Sequence, residues 1–372
     1  MNLIVAIWKD KWLSGSETFV RAHADSLRDW SPVCLGYEKL HSPLAKESDV
    51  ILSSQQGPIE QLKLKLARRG LFVGWVSRAI LQSGASVVHV HSASDAMAVR
   101  AAVRRAGLPL IVTLHGVDIT AGPALPGRRG RSYRRNLHLV FRDSVALVCV
   151  SDHIRETALA AGAPPARLHR IYNGVGIYKI GTAARDIDIL FVGRLVEKKG
   201  VLDLLEALNR LKARDSLRVV IMGDGPLWSQ VQSKVIEDQL RVEMRGSVPP
   251  SEVVEAMKSA RITVVPSKKA SNGDTEGLPT VILEASALGS LVVASDHAGA
   301  REAVVHERTG LLFTEGNIDG LVALLDRAID DRQLRSRLAD AARAYVAEKF
   351  SLGEQALALE ALYAKSMRPE ST

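Results

Sequence analysis

The sequence predicts an α/β protein built from two Rossmann-like, doubly wound domains, and three observations predict it. Short apolar runs alternate with helix-length segments along the whole chain, the βαβ rhythm of a parallel sheet covered on both faces. The rhythm occurs as two sets, one in each half. The chain has 372 residues, the length of about two ordinary domains.

In the first half, strands are expected over 2–7, 87–91, 110–114 and 145–150, with helices over 16–30 and 95–106. Gly107-Leu108-Pro109 stops the second helix, because glycine accepts the left-handed C-terminal conformation and proline cannot continue the turn. In the second half, strands over 188–192, 218–222, 262–266 and 291–295 alternate with helices over 200–212, 226–239 and 280–288. Small and polar residues interrupt the pattern near 178–186. The expected domains are therefore 1–177 and 178–351, with a last helix over 354–367 after the Phe350-Ser351 break. No solenoid repeat or low-complexity tract is visible.

Composition narrows the function classes. Hydrophobic residues make up 47% and charged residues 24%, ordinary values for a soluble globular protein. Of the two cysteines, Cys149 sits in an apolar run and reads as strand packing, so no disulfide framework is implied. No apolar stretch reaches the ~18 residues of a spanning helix. Residues 1–7 form an apolar strand without a basic leader, and a cytoplasmic location is expected. The net charge of +8 is uneven: residues 1–180 hold 24 Lys and Arg against 13 Asp and Glu, and the remainder holds 25 against 28. The first half thus calls for an anionic partner.

In open α/β sheets, ligands bind beyond the C-terminal ends of the strands, so the informative residues follow strands. Gly193-Arg194 follows strand 188–192, with Lys199-Gly200 close behind. Glycine admits a ligand to the backbone, and two cations beside a helix start attract a diphosphate. A solvated loop is the competing reading. Gly223-Asp224-Gly225-Pro226 is a tight turn into a helix, with Pro226 near the first helical position, and serves as a structural turn or as a nucleotide wall. It is no dinucleotide fingerprint, since Ser229 stands where the third glycine would be, and no ATPase-type phosphate loop occurs.

Residues 273–284 carry the sharpest pattern. Gly273 and Gly277 open the backbone, Leu278 and Pro279 lead into a helix, and Thr280 begins a row of free N–H groups. Glu276 precedes that helix. Glu284 lies four residues after Thr280, on the same face. A glutamate set among Val281, Ile282, Leu283 and Ala285 suits a grip on ribose hydroxyls better than a solvent face. A retaining hydrolase needs its carboxylates about 5–5.5 Å apart, whereas eight helical residues span about 12 Å. In the first half, His115 ends strand 110–114 and Asp118 can bond the turn that follows. Ser14-Gly15-Ser16-Glu17 either caps the next helix or lines a cleft.

Taken in order, these segments resemble the family-four retaining glycosyltransferases of the GT-B fold. The glycine loop is Ser-Gly-Ser-Glu-Thr-Phe-Val from residue 14. The histidine motif is 113–118, and Asn173-Gly174-Val175 matches the domain-closing motif. Gly-Arg-Leu-x-x-x-Lys-Gly falls at 193–200 and Glu-x7-Glu at 276–284, followed by Gly289 and 297–302. Gly176 departs from the family's usual Asp. The resemblance spans nearly the whole chain and implies two Rossmann-like domains facing across a cleft. The first would bind the acceptor, with 352–372 packing back on it, and the second would bind the donor.

The resemblance also implies roles. Arg194 and Lys199 bind the donor diphosphate, Glu276 contacts the transferred sugar and His115 lines the sugar pocket; these four are the catalytic set. Gly15, Gly193, Gly223, Gly277, Leu278, Pro279, Thr280 and Glu284 bind the donor, with Glu284 on the ribose. Glu17, Asp118, Arg128 and Arg129 are expected at the acceptor. The implied reaction moves a sugar, with retention, from a UDP- or GDP-sugar to a hydroxyl of a lipid-linked or oligosaccharide acceptor in cell-surface polysaccharide synthesis. It uses no metal and no cofactor.

The first half carries two basic clusters, the first offered to the acceptor and the second to an anionic membrane surface at the inner face of the plasma membrane. One is Arg128, Arg129, Arg131, Arg134 and Arg135. The other is Lys63, Lys65, Arg68 and Arg69, interleaved with leucines. A solvated helix face is the alternative. Two further functions compete with transfer: a nucleotide-sugar 2-epimerase of GT-B type, and a non-catalytic sugar-nucleotide-binding partner. Nucleic acid is disfavoured, because aromatics are 5% and no recognised module occurs.

Overall fold

The valine- and isoleucine-rich runs are buried on both faces, as parallel strands covered by helices must be. A computed structural model describes residues 3–13, 15, 17–40, 42, 44–53, 57–178 and 185–367. Ser14 and Ser16 of the glycine loop, most of the interruption at 178–186 and the end of 352–372 lie outside the described residues. The chain divides into two compact units, Met1–Gly174 with Leu352–Thr372, and Val175–Ser351.

The first unit contains β1 (Leu3–Trp8), β2 (Lys11–Trp12), β3 (Trp30–Gly36), β4 (Glu38–Lys39), β5 (Val50–Ile51), β6 (Val87–His91), β7 (Leu110–Leu114), β8 (Ala146–Cys149) and β9 (Leu168–Arg170). Seven of these form a parallel sheet in the order β5-β3-β1-β6-β7-β8-β9, while β2 and β4 pair apart. Val5, Ile7, Val87, Ile111 and Val148 lie in its core. The C-terminal helix Leu352–Ser366 packs in this unit. Glu360 Oε1 accepts the N–H groups of Arg28, Asp29 and Trp30 at 2.6, 2.8 and 3.1 Å, which is why a glutamate tolerates burial there.

The helix expected over 16–30 is shorter, at Thr18–Ser26. Trp30 does not end it but opens β3, packing edge-on against Tyr363 of the C-terminal helix at 5.2 Å. Pro32 argues against a strand in sequence, since it cannot donate to a ladder. It is tolerated because β5 pairs with β3 only at Leu35 and Gly36, leaving the outer side of Pro32 unpaired.

The second unit contains β10 (Ile187–Val192), β11 (Val219–Met222), β12 (Val242–Gly246), β13 (Ala260–Val265), β14 (Leu291–Asp296) and β15 (Leu311–Thr314), all parallel, in the order β12-β11-β10-β13-β14-β15. In chain order this is 3-2-1-4-5-6, the doubly wound arrangement whose crevice opens where the order reverses. In the second sheet that point lies between β10 and β13, in the first between β1 and β6. Ile189, Phe191, Ile221, Ile262 and Val293 fill the second core.

Candidate active site

At the switch point of the second unit, the loops after β10 and β13 are laced together. The 3-10 turn Glu197–Lys199 follows β10, and each of its side chains meets the loop after β13. Glu197 accepts from the Ser271 amide and hydroxyl at 2.9 and 2.7 Å. Lys198 pairs with Asp274 at 3.1 Å and Lys199 with Glu276 at 2.9 Å. The Lys268 amide adds a bond to the Lys198 carbonyl at 2.8 Å.

Lys199 also bears on Glu284. Glu284 is half-buried in the helix Thr280–Ala287. Burial pushes its carboxyl up, while Lys199 and the Thr280 hydroxyl pull it back. For the buried Glu276 the balance is reversed: burial acts upward, but Lys199, then Lys198, and finally His297 hold it below its ordinary value. Glu276 therefore stays ionised, and one ammonium serves two carboxyls. Arg194, in the same loop after β10, is exposed, and its guanidinium pairs with no described residue.

The glycines have geometric causes. A Cβ on Gly223, at φ +135°, would lie 1.9 Å from the Gly193 carbonyl oxygen. The loops after β10 and β11 thus touch backbone to backbone, and Gly223 shapes the wall by packing. The Gly277 carbonyl occupies the space of a Cβ on Gly299, at 2.1 Å. Leu278 is buried. Pro279 takes the N-cap position, so Thr280 opens the helix. Pro226 lies before its helix, which starts at Trp228.

In the first unit, His115 follows β7. Its Nε2 lies 3.2 Å from Nδ1 of His91, which ends β6, and Phe19 covers its ring with centroids 4.6 Å apart. Asp118, expected at the acceptor, anchors the loop after β7 in the structure. Its buried carboxylate is taken up by backbone amides: Oδ2 accepts from Ala93 at 2.8 Å, and Oδ1 from His115 at 3.2 Å and Gly116 at 3.0 Å. It ties the histidine loop to the start of the helix Ala93–Ala106. Glu17 stands at the N-cap of Thr18–Ser26 without capping it by its side chain. Instead it shares Lys9 with Asp95, each at 3.0 Å. Gly15 is exposed, with open space around it.

Arg128 and Arg129 are exposed in the first turn of the helix Gly127–Asp143, paired with no described residue. The second basic cluster is reduced. Arg68 turns inward to Asp10 and Glu38 at 2.9 and 2.7 Å, and Lys63 sits over the Trp75 ring at 3.9 Å. Lys65 and Arg69 remain exposed. Sequence reasoning passed over His91, Lys9 and Lys198. For His91 the sign was present: β6 reads Val-Val-His-Val-His, and histidines inside a buried strand are polar groups that need a purpose. Among the described residues, no group of three His, Cys, Asp or Glu could hold a metal ion. No helix of the described residues is long and apolar enough to cross a membrane.

Comparison with known proteins agrees with this layout. The family described as "Glycosyl transferase 4-like domain" matches residues 33–174, and "Glycosyl transferases group 1" matches residues 178–345. The chain is similar to the amylovoran biosynthesis glycosyltransferase AmsK of Erwinia amylovora, 29% identical over 65% of this chain and 60% of that one. It is also similar to the putative colanic acid biosynthesis glycosyltransferase WcaL of Salmonella typhimurium, 30% identical over 64% and 59%. The chain thus spans about six-tenths of the length of these relatives. Among solved structures, HepE of Anabaena in complex with UDP and glucose superposes with a TM-score of 0.81 at 20% identity, over 98% of this chain and 100% of that one. Sucrose-phosphate synthase of Thermosynechococcus elongatus gives 0.78 at 19%, over 98% of each. These likenesses show the GT-B fold. With the first domain family on one unit and the second on the other, the chain belongs to the family-four glycosyltransferases.

Proposed function

We propose that the protein is a retaining glycosyltransferase that moves a sugar from a UDP- or GDP-sugar to an acceptor hydroxyl, without a resident metal or cofactor. The observation that carries this reading is Lys199 at the switch point of the second sheet, paired with Glu276 and bearing on Glu284, with the exposed Arg194 in the same loop. As the bond to the sugar breaks, charge builds on the phosphate oxygen of the departing nucleotide. Arg194, Lys199 and the amides at the start of Thr280–Ala287 supply the countercharge. Glu284 is assigned to the ribose, Glu276 and His115 to the transferred sugar.

The names of the similar AmsK and WcaL support a role in polysaccharide biosynthesis, and the acceptor proposed with it is a lipid-linked saccharide or oligosaccharide of a cell-surface polysaccharide. An anionic membrane surface is the proposed partner of the first unit. Arg128, Arg129, Arg131 and Arg135 are exposed on one helix, and the exposed Ile59, Leu62, Leu71 and Phe72 accompany Lys65 and Arg69 on another stretch. That placement goes with the inner face of the plasma membrane.

The test is a thermal-shift panel of UDP-, GDP- and ADP-sugars, because a ligand of the native state must raise its stability. One sugar nucleotide is expected to raise Tm and to turn over with retention, and Arg194→Ala to lose about 2.7–4 kcal/mol of transition-state stabilisation. Full turnover in Arg194→Ala and Lys199→Ala would overturn the assignment. For the membrane, co-sedimentation with anionic but not neutral vesicles at low salt is expected; equal recovery from both refutes it.

A further inference from the structure

We infer that His91 is a positioning residue: its Nδ1–H donates to Nε2 of His115 and so fixes His115 as the tautomer that carries its proton on Nδ1. The two nitrogens are 3.2 Å apart. One of them must supply a proton and the other a lone pair. Both rings are neutral, since burial, reinforced by neighbouring histidines and Lys9, pushes each well below the ordinary histidine range.

Which nitrogen donates follows from the far side of His91. Its Nε2 is buried and has no partner among the described residues. The rings around it are those of His89, His23, Phe19 and His115, with centroids 4.4, 5.9, 6.4 and 5.4 Å away. His89 is committed elsewhere, to Tyr363 and Thr113. If His115 were the donor, a neutral His91 would carry its proton on Nε2, a buried N–H without an acceptor. Orphaned buried donors are the rarer and costlier outcome. With the proton on Nδ1, the buried Nε2 is only an unused lone pair.

The rest of the loop denies His115 an alternative pose. Asp118 holds its amide and that of Gly116, and Phe19 covers its ring. Nδ1 of the half-buried His115 is engaged by no described residue. Its proton makes that open nitrogen a hydrogen-bond donor, suited to a hydroxyl or phosphate oxygen and unable to act as a base. This ligand role rests on the proposed function; the tautomer does not.

The tautomer is read by long-range 1H–15N correlation on the ligand-free protein labelled at histidine, with the His115 signals assigned by their loss in His115→Gln. The expected wild-type pattern is a protonated Nδ1 and a bare Nε2. His91→Asn, whose amide nitrogen sits where Nδ1 does, is expected to keep that pattern. His91→Leu is expected to lose it to the Nε2–H form. A wild-type His115 protonated on Nε2 overturns the inference, as does an unchanged pattern in His91→Leu. Should the leucine variant fail to fold, His91→Asn decides: retention supports the inference and reversal overturns it. If instead no sugar nucleotide binds, the proposed function fails while the tautomer result stands.

Discussion

Lys199→Met removes one charge from a pair whose side chains are 19% and 10% exposed and whose atoms are 2.9 Å apart. At that distance two unit charges attract by about 6 kcal/mol at an effective dielectric of about 20, and the desolvation of both offsets part of it. Losing one partner of such a pair costs about 3–5 kcal/mol, because the other charge stays buried and unanswered. Lys198 and His297 still face Glu276, so the lower end, about 3 kcal/mol, is expected. For a unit of this size that is roughly 6–12 °C in Tm.

The pH dependence fixes the cause. In the wild type the folded carboxyl of Glu276 is held below its unfolded value. Its contribution is present above the ordinary carboxylate range and is lost as pH falls through the folded value. Without Lys199, burial meets less opposition and the folded carboxyl rises. Stability is then present in acid and is lost as pH rises through the raised value. The deficit of Lys199→Met should therefore shrink from pH 8 to pH 5, and Lys199→Met with Glu276→Gln should recover most of it. Calorimetric unfolding of the three proteins at both pH values is the assay. A loss under about 0.5 kcal/mol, or one equal at both pH values, would refute the reasoning.

Gly223→Ala should cost about 3 kcal/mol in thermal unfolding, because its Cβ cannot fit against the Gly193 carbonyl. Gly316→Ala, at φ +74° but in open space, should cost only about 1 kcal/mol; equal losses would remove packing as the cause. Asp118→Asn sets an NH2 against a backbone N–H and should cost about 2 kcal/mol by denaturant titration, with a null effect denying the loop-anchoring role. Glu360→Leu should lose about 2 kcal/mol, because the amides of Arg28, Asp29 and Trp30 are left without their shared acceptor. It should also expose the Arg28–Trp30 amides to hydrogen exchange, and unchanged protection there would count against it.

The strands expected over 87–91 and 110–114 coincide with β6 and β7 residue for residue, because strands buried on both faces are dense in branched apolar residues, which here frame the two histidines of β6 and Thr113 of β7. Trp30–Gly36 escaped, since its stability comes from Tyr363 and from β1, both distant in sequence, while Pro32 masks it locally. The places of Arg194 and Lys199 after β10, and of Glu276 and Glu284 after β13, were legible because the alternation of apolar runs and helices marks where each strand ends. Side-chain partners were not legible: Asp118 is taken up by backbone amides, Glu17 answers Lys9 and Arg68 answers two carboxylates. Nothing in a charge pattern distinguishes a free cation from a neutralised one.

The sequence by itself determined the periodicity of the elements, the two sets of βαβ units and the residues available at the strand ends, because these follow from local geometry and from which side chains water rejects. Only the tertiary structure decided the partners. Placing β10 beside β13 brings Lys199 to Glu276, and placing β6 beside β7 brings His91 to His115. Electrostatic and hydrogen-bond energies depend on distance through space, and the order in which strands are laid into a sheet sets that distance.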